Sequence, residues 1–114
     1  MSAITTHILD VSLGQPAHGV PVVLEFQDSA SGWHIVGQGT TDDDGRLRTL
    51  LAPDHRLQPG TYRITFDTGA YFARRSIASF YPEAPVVFIV QDARQHYHVP
   101  LLLSPFGYST YRGS

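Results

Sequence analysis

No cysteine and no lysine occur among the 114 residues, Met1 is the only methionine, and all eight basic residues are arginine. Without cysteine the chain can form no disulfide, thiolate nucleophile, iron–sulfur cluster or Cys-ligated zinc site. Without lysine it can form no Schiff base, hold no pyridoxal phosphate and supply no Walker-type phosphate lysine. Catalysis must then fall to His, Arg, Ser, Thr, Tyr, carboxylates or a bound metal. Long apolar runs are missing too: none approaches the roughly 20 residues needed to span a bilayer. A net charge of −2 and a pI near 6.3 give no electrostatic footing for nucleic acid or an anionic membrane. The stretch from Met1 to His7 has no basic region followed by apolar residues, so no secretion signal is expected and the cytoplasm is the expected compartment.

What is present is the composition of a folded domain, with 42% apolar and 16% charged residues. At this length a single domain spanning residues 1–114 is expected, without linker, repeat or low-complexity segment. Short alternating runs separated by turn signals dominate. From Ile4 to Val11, Thr5, His7, Leu9 and Val11 share one face while Ile4, Thr6, Ile8 and Asp10 share the other. Gly14-Gln15-Pro16 and Gly19 mark a loop. Val22, Leu24 and Phe26 alternate with Val23, Glu25 and Gln27, and a strand from Trp33 to Thr40 puts Trp33, Ile35 and Gly37 on one face. Asp42-Asp43-Asp44-Gly45 is a turn leading into a short strand from Arg46 to Leu51. Further strands are expected over Thr61–Phe66, Val86–Val90, Tyr97–Leu103 and Tyr108–Arg112, with one short helix over Gly69–Ile77. The unbroken apolar run Val86–Val90 reads as a strand buried on both faces. Pro100 is out of place in a strand interior and points to an edge or an irregularity. About eight strands and one helix indicate an all-β, antiparallel two-sheet sandwich.

Four groupings could carry chemistry. His96 and His98 lie two apart on a strand and so point the same way, a spacing also found in zinc sites, for which His7 is the candidate third ligand. His7 stands between Thr5 and Leu9 at an otherwise apolar-facing position. Asp44-Gly45-Arg46 would aim an arginine from a strand end. The final run Tyr108 to Ser114 is rich in hydrogen-bonding side chains where chain ends are usually frayed. Each has an ordinary structural alternative: solvated histidines, a hydrogen-bonded core histidine, a surface turn, an ordered last strand. His18, His34, His55 and Arg74-Arg75 read as surface residues, and the Asp42–Asp44 run lacks the ligand spacing of a calcium loop.

Taken in order, these segments resemble one family. Thr6-His7-Ile8-Leu9-Asp10, Thr41 through Asp44-Gly45-Arg46, and His96-Tyr97-His98-Val99-Pro100-Leu101-Leu102-Leu103-Ser104-Pro105 followed by Tyr111-Arg112-Gly113-Ser114 are similar to the transthyretin-related family, and within it to the 5-hydroxyisourate hydrolases. Tyr62 to Thr68 and Phe80-Tyr81-Pro82-Glu83 fit as well, so the resemblance runs over essentially the whole chain. His7, Arg46, His98 and the Tyr-Arg-Gly-Ser ending separate the hydrolase branch from the hormone-carrying transthyretins, which lack them.

The resemblance implies a transthyretin (prealbumin)-like fold and a homotetramer. Two sandwiches would join edge to edge, and two dimers would pack face to face around a central channel holding the sites. It implies hydrolysis of 5-hydroxyisourate to 2-oxo-4-hydroxy-4-carboxy-5-ureidoimidazoline in urate breakdown, with no metal and no organic cofactor. Such hydrolysis needs a base for water, a donor for the oxyanion and a proton for the leaving nitrogen. On this reading His98 activates water, helped by Ser114 or its terminal carboxylate, and His7 orients substrate or passes a proton. Arg46 holds the polarised carbonyl or the anionic ring, and Tyr111 contacts the substrate. His96 is a secondary candidate, and Pro100 belongs to the family pattern. The alternatives are a non-catalytic small-molecule carrier and a zinc hydrolase built on His7, His96 and His98.

Overall fold

The computed structural model describes residues 2–114. In chain order its elements are β1 (Ile4–Asp10), β2 (Gln15–Pro16), β3 (Pro21–Asp28), β4 (Gly32–Thr40), β5 (Arg46–Leu47), β6 (Gly60–Phe66), α1 (Thr68–Arg74), β7 (Ala84–Val90), β8 (Tyr97–Ser104) and β9 (Gly107–Thr110). Strands β4-β3-β6-β7 form one sheet and β2-β1-β8-β9 the other, with β5 added alongside β1. The period-2 pattern sends Ile4, Ile8, Val99, Leu101 and Leu103 of the second sheet inward against Val22, Leu24, Tyr62, Ile64 and Phe66 of the first. That interleaved layer is the core of the expected sandwich. No described helix is long and apolar enough to cross a membrane.

Several details differ from the sequence reading. The β1–β8 pair is parallel, with Ile4 opposite Tyr97 and Asp10 opposite Leu103, whereas the other pairs are antiparallel. A parallel pair needs a long crossover, and here the whole other sheet supplies it. Gln15–Pro16, read as loop, pairs with Leu9 and Asp10. The strand expected over Arg46–Leu51 stops at Leu47, because the chain then turns across β4 and Ala52 donates its N–H to the Val36 carbonyl at 3.0 Å. Gly37 does not share a face with Ile35. A bulge lets Leu24 face Gly37 while Glu25 faces Ile35, leaving Val36 as the extra residue and turning Ile35 out to 63% exposure.

The Val86–Val90 run is not buried on both faces. It lies within β7, an edge strand whose Val87 and Ile89 are 58% and 63% exposed while Val86 and Val90 enter the core. Periodicity alone cannot separate a central strand from an edge strand that is apolar on both sides.

The helix falls where expected and is pinned at both ends. The Asp67 carboxylate accepts from Ala70 N–H at its start, and Tyr71 and Phe72 bury their rings against the sandwich. Asp10, wholly buried, accepts from Tyr71 Oη at 2.7 Å and Arg75 Nη1 at 3.0 Å, and from the Ser12 hydroxyl. Burial disfavours this carboxylate, but the hydrogen bonds from Ser12 and Tyr71 and the Arg75 charge outweigh it and hold its pKa below the ordinary 3.8. The network locks the end of β1 to the helix, and so fixes the strand that carries His7.

Candidate active site

Because Ile4, Thr6, Ile8 and Asp10 fill the interior, Thr5, His7 and Leu9 must face outward. His7 is therefore not on the apolar side of its strand, as its neighbours suggested, but on the open outer face of the second sheet. On β8 the same alternation turns His98, Pro100 and Leu102 outward and Tyr97, Val99 and Leu101 inward. The parallel register sets Thr5 opposite His98 and His7 opposite Pro100, and on the other flank of β1 His7 faces Arg46. One row across three strands thus gathers residues 39 and more positions apart in sequence.

The turn before Arg46 is built from its own side chains. The Asp42 carboxylate accepts from the N–H groups of Asp44 and Arg46 at 2.9 and 3.0 Å. Gly45 has φ +74° and hands its carbonyl to Ile8 N–H at 2.8 Å. A Cβ at Gly45 would stand 2.4 Å from the Ile8 carbonyl oxygen, so only glycine lets the turn sit this close over β1. The Asp44 carbonyl then meets His7 Nε2 at 2.9 Å. A carbonyl only accepts, so Nε2 carries the proton and neutral His7 keeps a bare lone pair on Nδ1. Among the described residues, Arg46 makes no ion pair or side-chain hydrogen bond, which leaves its guanidinium available to a ligand.

The last residues are not frayed. Leu101 faces Thr110 and His98 faces Gly113, three residues on along each chain, so the tail keeps the β8–β9 register. That register puts Tyr111 opposite Pro100, which has no N–H to give, and the named strand ends at Thr110. The Pro100 carbonyl is taken instead by Thr110 Oγ1 at 2.7 Å. Pro100 is thus the local irregularity that the family resemblance implied. Beyond it, Gly113 N–H donates to the His98 carbonyl at 2.8 Å, and Arg112 lies over the Tyr97 ring at 4.5 Å while donating to Gln95 Oε1 at 2.9 Å.

His7, Arg46, His98, Tyr111 and Ser114 line one cavity of about 300 Å³, floored by Leu9, Pro100 and Leu102. A second hollow of about 250 Å³ shares Arg46, His98 and Ser114 and adds Thr5, Arg48 and His96. All the site residues expected from sequence therefore meet in one groove, with His96 in its side compartment. Thr5 and Arg48 were given no role by the sequence reading. The signal for Thr5 was its position two residues before His7 on the same strand face. His7 is held below the ordinary histidine value of 6.5, first by burial and then by the Arg46 charge, against the pull of Asp44 and Asp42. His98 is lowered too, by burial first and then by Arg46, His7 and His96. The groove therefore presents two neutral imidazoles beside an unpaired guanidinium at neutral pH.

A three-histidine zinc site does not form: among the described residues no group of three His, Cys, Asp or Glu side chains could hold a metal ion. One nitrogen of each ring is engaged within the protein, His7 Nε2 on Asp44 and both His98 Nδ1 and His96 Nε2 on the Thr5 hydroxyl. A larger hollow of about 530 Å³ beside β4 contains Asp54 and His55 but no arginine.

Comparison with known proteins bears on the same residues. The model of the HIUase/Transthyretin family matches residues 4–113. A 5-hydroxyisourate hydrolase of Salmonella dublin is 50% identical over 111 residues, covering 97% of this chain and 80% of the Salmonella protein. The structure of Klebsiella pneumoniae 5-hydroxyisourate hydrolase superposes with a TM-score of 0.84 at 37% identity, covering 97% of this chain and 98% of that one. Sea bream transthyretin in complex with thyroxine superposes with a TM-score of 0.91 at 33% identity, covering 98% and 95%. Backbone similarity thus reaches a thyroxine-bound transthyretin as readily as a hydrolase, and fold alone does not separate the two.

Proposed function

The chain belongs to the HIUase/Transthyretin family, and on that premise we propose that its outer-face groove opens the six-membered ring of 5-hydroxyisourate by hydrolysis. The protein is a 5-hydroxyisourate hydrolase, a cyclic amidohydrolase of urate breakdown. One observation carries this reading: His7, Arg46, His98, Tyr111 and Ser114 converge on a single cavity of about 300 Å³.

Water adds across a ring C–N bond: its oxygen ends on the carbonyl carbon, one proton goes to the departing nitrogen, and a carboxyl group results. His98 removes a proton from the attacking water, which a neutral imidazole with a bare nitrogen can do. The oxyanion forms against the Arg46 guanidinium, whose backbone is fixed by its turn and which pairs with no carboxylate among the described residues. Such a preorganised donor is worth about 3 kcal/mol of barrier. His7, with Nδ1 bare and Nε2 anchored on Asp44, orients the ring or relays the proton to the leaving nitrogen. Ser114 assists the water and Tyr111 contacts the substrate from the tail. The residues call for no metal and no organic cofactor.

The working form in this proposal is a homotetramer, a dimer of dimers with the grooves lining a central channel. Two features support it: β7 and β9 end their sheets with unpaired edges, and Val87 and Ile89 stand exposed on one of them. Light scattering should return four copies of the 12.6 kDa chain, and a monomer would remove the channel from the argument. We place the reaction in the cytoplasm, to be checked by cell fractionation.

The test of function is direct. Freshly generated 5-hydroxyisourate is followed by ultraviolet absorbance with and without the protein. Accelerated decay is expected; a rate equal to spontaneous decay overturns the reading.

A further inference from the structure

Thr5 has no part in the roles assigned above, yet it is the most densely engaged polar group of the groove. It is 5% exposed, and its hydroxyl oxygen lies 2.8 Å from His98 Nδ1 and 3.0 Å from His96 Nε2. A hydroxyl has one proton to give, so the two imidazoles compete for it. If Thr5 donates to His98 Nδ1, neutral His98 carries its proton on Nε2 and has no lone pair for a water. If Thr5 donates to His96 and accepts from His98 Nδ1–H, then Nε2 of His98 is bare.

The surroundings select the second arrangement. Nε2 has no protein partner among the described residues, and His98 and Arg46 line the same two hollows. A cation there favours a lone pair on the facing nitrogen over an N–H. Thr5 also sets which way the ring lies: turned by half a turn it would present Cδ2 to the hydroxyl and lose that hydrogen bond. The tail packs along the other edge, where a Cβ at Gly113 would stand 2.6 Å from His98 Cδ2. His96 is exposed and free to keep its proton on Nδ1, toward solvent.

We propose that Thr5, with His96 as its acceptor, is a positioning residue that fixes the ring and tautomer of His98 and so leaves Nε2 unprotonated toward the groove. The proposal rests on the reading of His98 as the base for 5-hydroxyisourate hydrolysis. The hydroxyl does here what an acceptor behind a catalytic imidazole does in general, with one difference: it has a proton of its own, and needs His96 to take it. His96 thereby gains a role through Thr5, while the charged and titratable groups around His98 are His7 on β1, Arg46 on β5, Arg48 just beyond it, His96 itself, and from the tail Tyr111 and Ser114 with its terminal carboxylate.

The experiment compares wild type with Thr5→Val, Thr5→Ser and His96→Phe on the full chain. Thr5→Val keeps the shape and removes the hydroxyl. It should lower kcat about 10- to 100-fold, the lower range of what a misplaced general base costs, with KM within about 2-fold. Thr5→Ser should recover most of that loss, and His96→Phe should fall between. Nitrogen-15 spectra of the imidazoles give a readout independent of turnover: His98 should carry its proton on Nδ1 in wild type and shift toward Nε2 in Thr5→Val. A wild-type His98 protonated on Nε2, or a Thr5→Val protein with wild-type kcat and unchanged His98 nitrogen shifts, overturns the proposal. If wild type failed to accelerate ring opening, the hydrolase reading would fall, while the spectra would still decide the hydroxyl's effect on His98.

Discussion

Replacing Gly45 by alanine tests how closely the site depends on one turn. Three costs can be read from the structure. The backbone at φ +74° charges a side chain about 1–2 kcal/mol. The new Cβ would start 2.4 Å from the Ile8 carbonyl oxygen, so the turn must lift off β1 by several tenths of an ångström. Lifting it breaks the Ile8 N–H to Gly45 carbonyl bond, worth about 1 kcal/mol net. The total, about 3 kcal/mol, is a large part of the roughly 5–15 kcal/mol that holds a domain folded. Function suffers separately: the same displacement pulls the Asp44 carbonyl off His7 and re-aims Arg46, and since misplacement of about 1 Å costs roughly 100-fold in rate, several tenths of an ångström should cost on the order of 10-fold. Gly32 supplies the control. It has φ +84° but nothing within 4 Å of a built Cβ, so Gly32→Ala should lose only about 1 kcal/mol and keep full activity. Urea unfolding and initial rates of 5-hydroxyisourate decay measure both proteins. Equal stability losses in the two variants, or a Gly45→Ala enzyme of wild-type rate, would refute the account of the turn.

Other consequences follow from the same contacts. His7 and His98 are lowered by burial and then by Arg46, so the acid limb of kcat/KM should lie below the ordinary histidine value of 6.5. Arg46→Gln should move that limb upward and reduce kcat/KM by about 100-fold, as read from pH–rate profiles. For stability the sign is the same: the unfolded chain binds these protons more readily, so their contribution is lost as pH falls below about 6.5, measurable as a falling urea midpoint. Asp10→Asn should cost about 1–3 kcal/mol in urea unfolding, since it weakens the hydrogen bonds that the buried carboxylate takes from Ser12, Tyr71 and Arg75. In wild type the Asp10 contribution should persist down to acid pH and fade only as the pH drops through its depressed pKa. Removing residues 111–114 should leave a folded protein, judged by circular dichroism, with little or no turnover; full activity in that variant would take the tail out of the site.

Much of this arrangement is legible in local pattern. Alternation over Ile4–Asp10 sorts its residues correctly into two faces, and the Asp42–Gly45 run announces its turn. Legibility fails where a strand's neighbours matter. Val86–Val90 is as apolar as a central strand, but only the sheet order reveals that Val87 and Ile89 face solvent. The bulge at Val36 reverses a face, and its one mark in the sequence is Gly37 beside it, which alternation alone passes over. The side of β1 that carries His7 looked apolar because Leu9 and Val11 lie on it; which face is interior depends on where the other sheet packs.

Composition confined the chemistry to histidine, arginine, hydroxyls and carboxylates, and the ordered segments identified the family. Those are properties of residue identity and order, which survive without coordinates. What only the tertiary structure decided is pairing: the parallel register that seats Thr5 against His98, the antiparallel contact that seats Arg46 against His7, and the tail that closes over the imidazole. Hydrogen bonds between residues 37 and 93 positions apart engage His7 Nε2 and His98 Nδ1 and leave the other nitrogen of each ring toward the groove. Such contacts depend on register, and a slip of one residue would turn every one of these side chains to the other face.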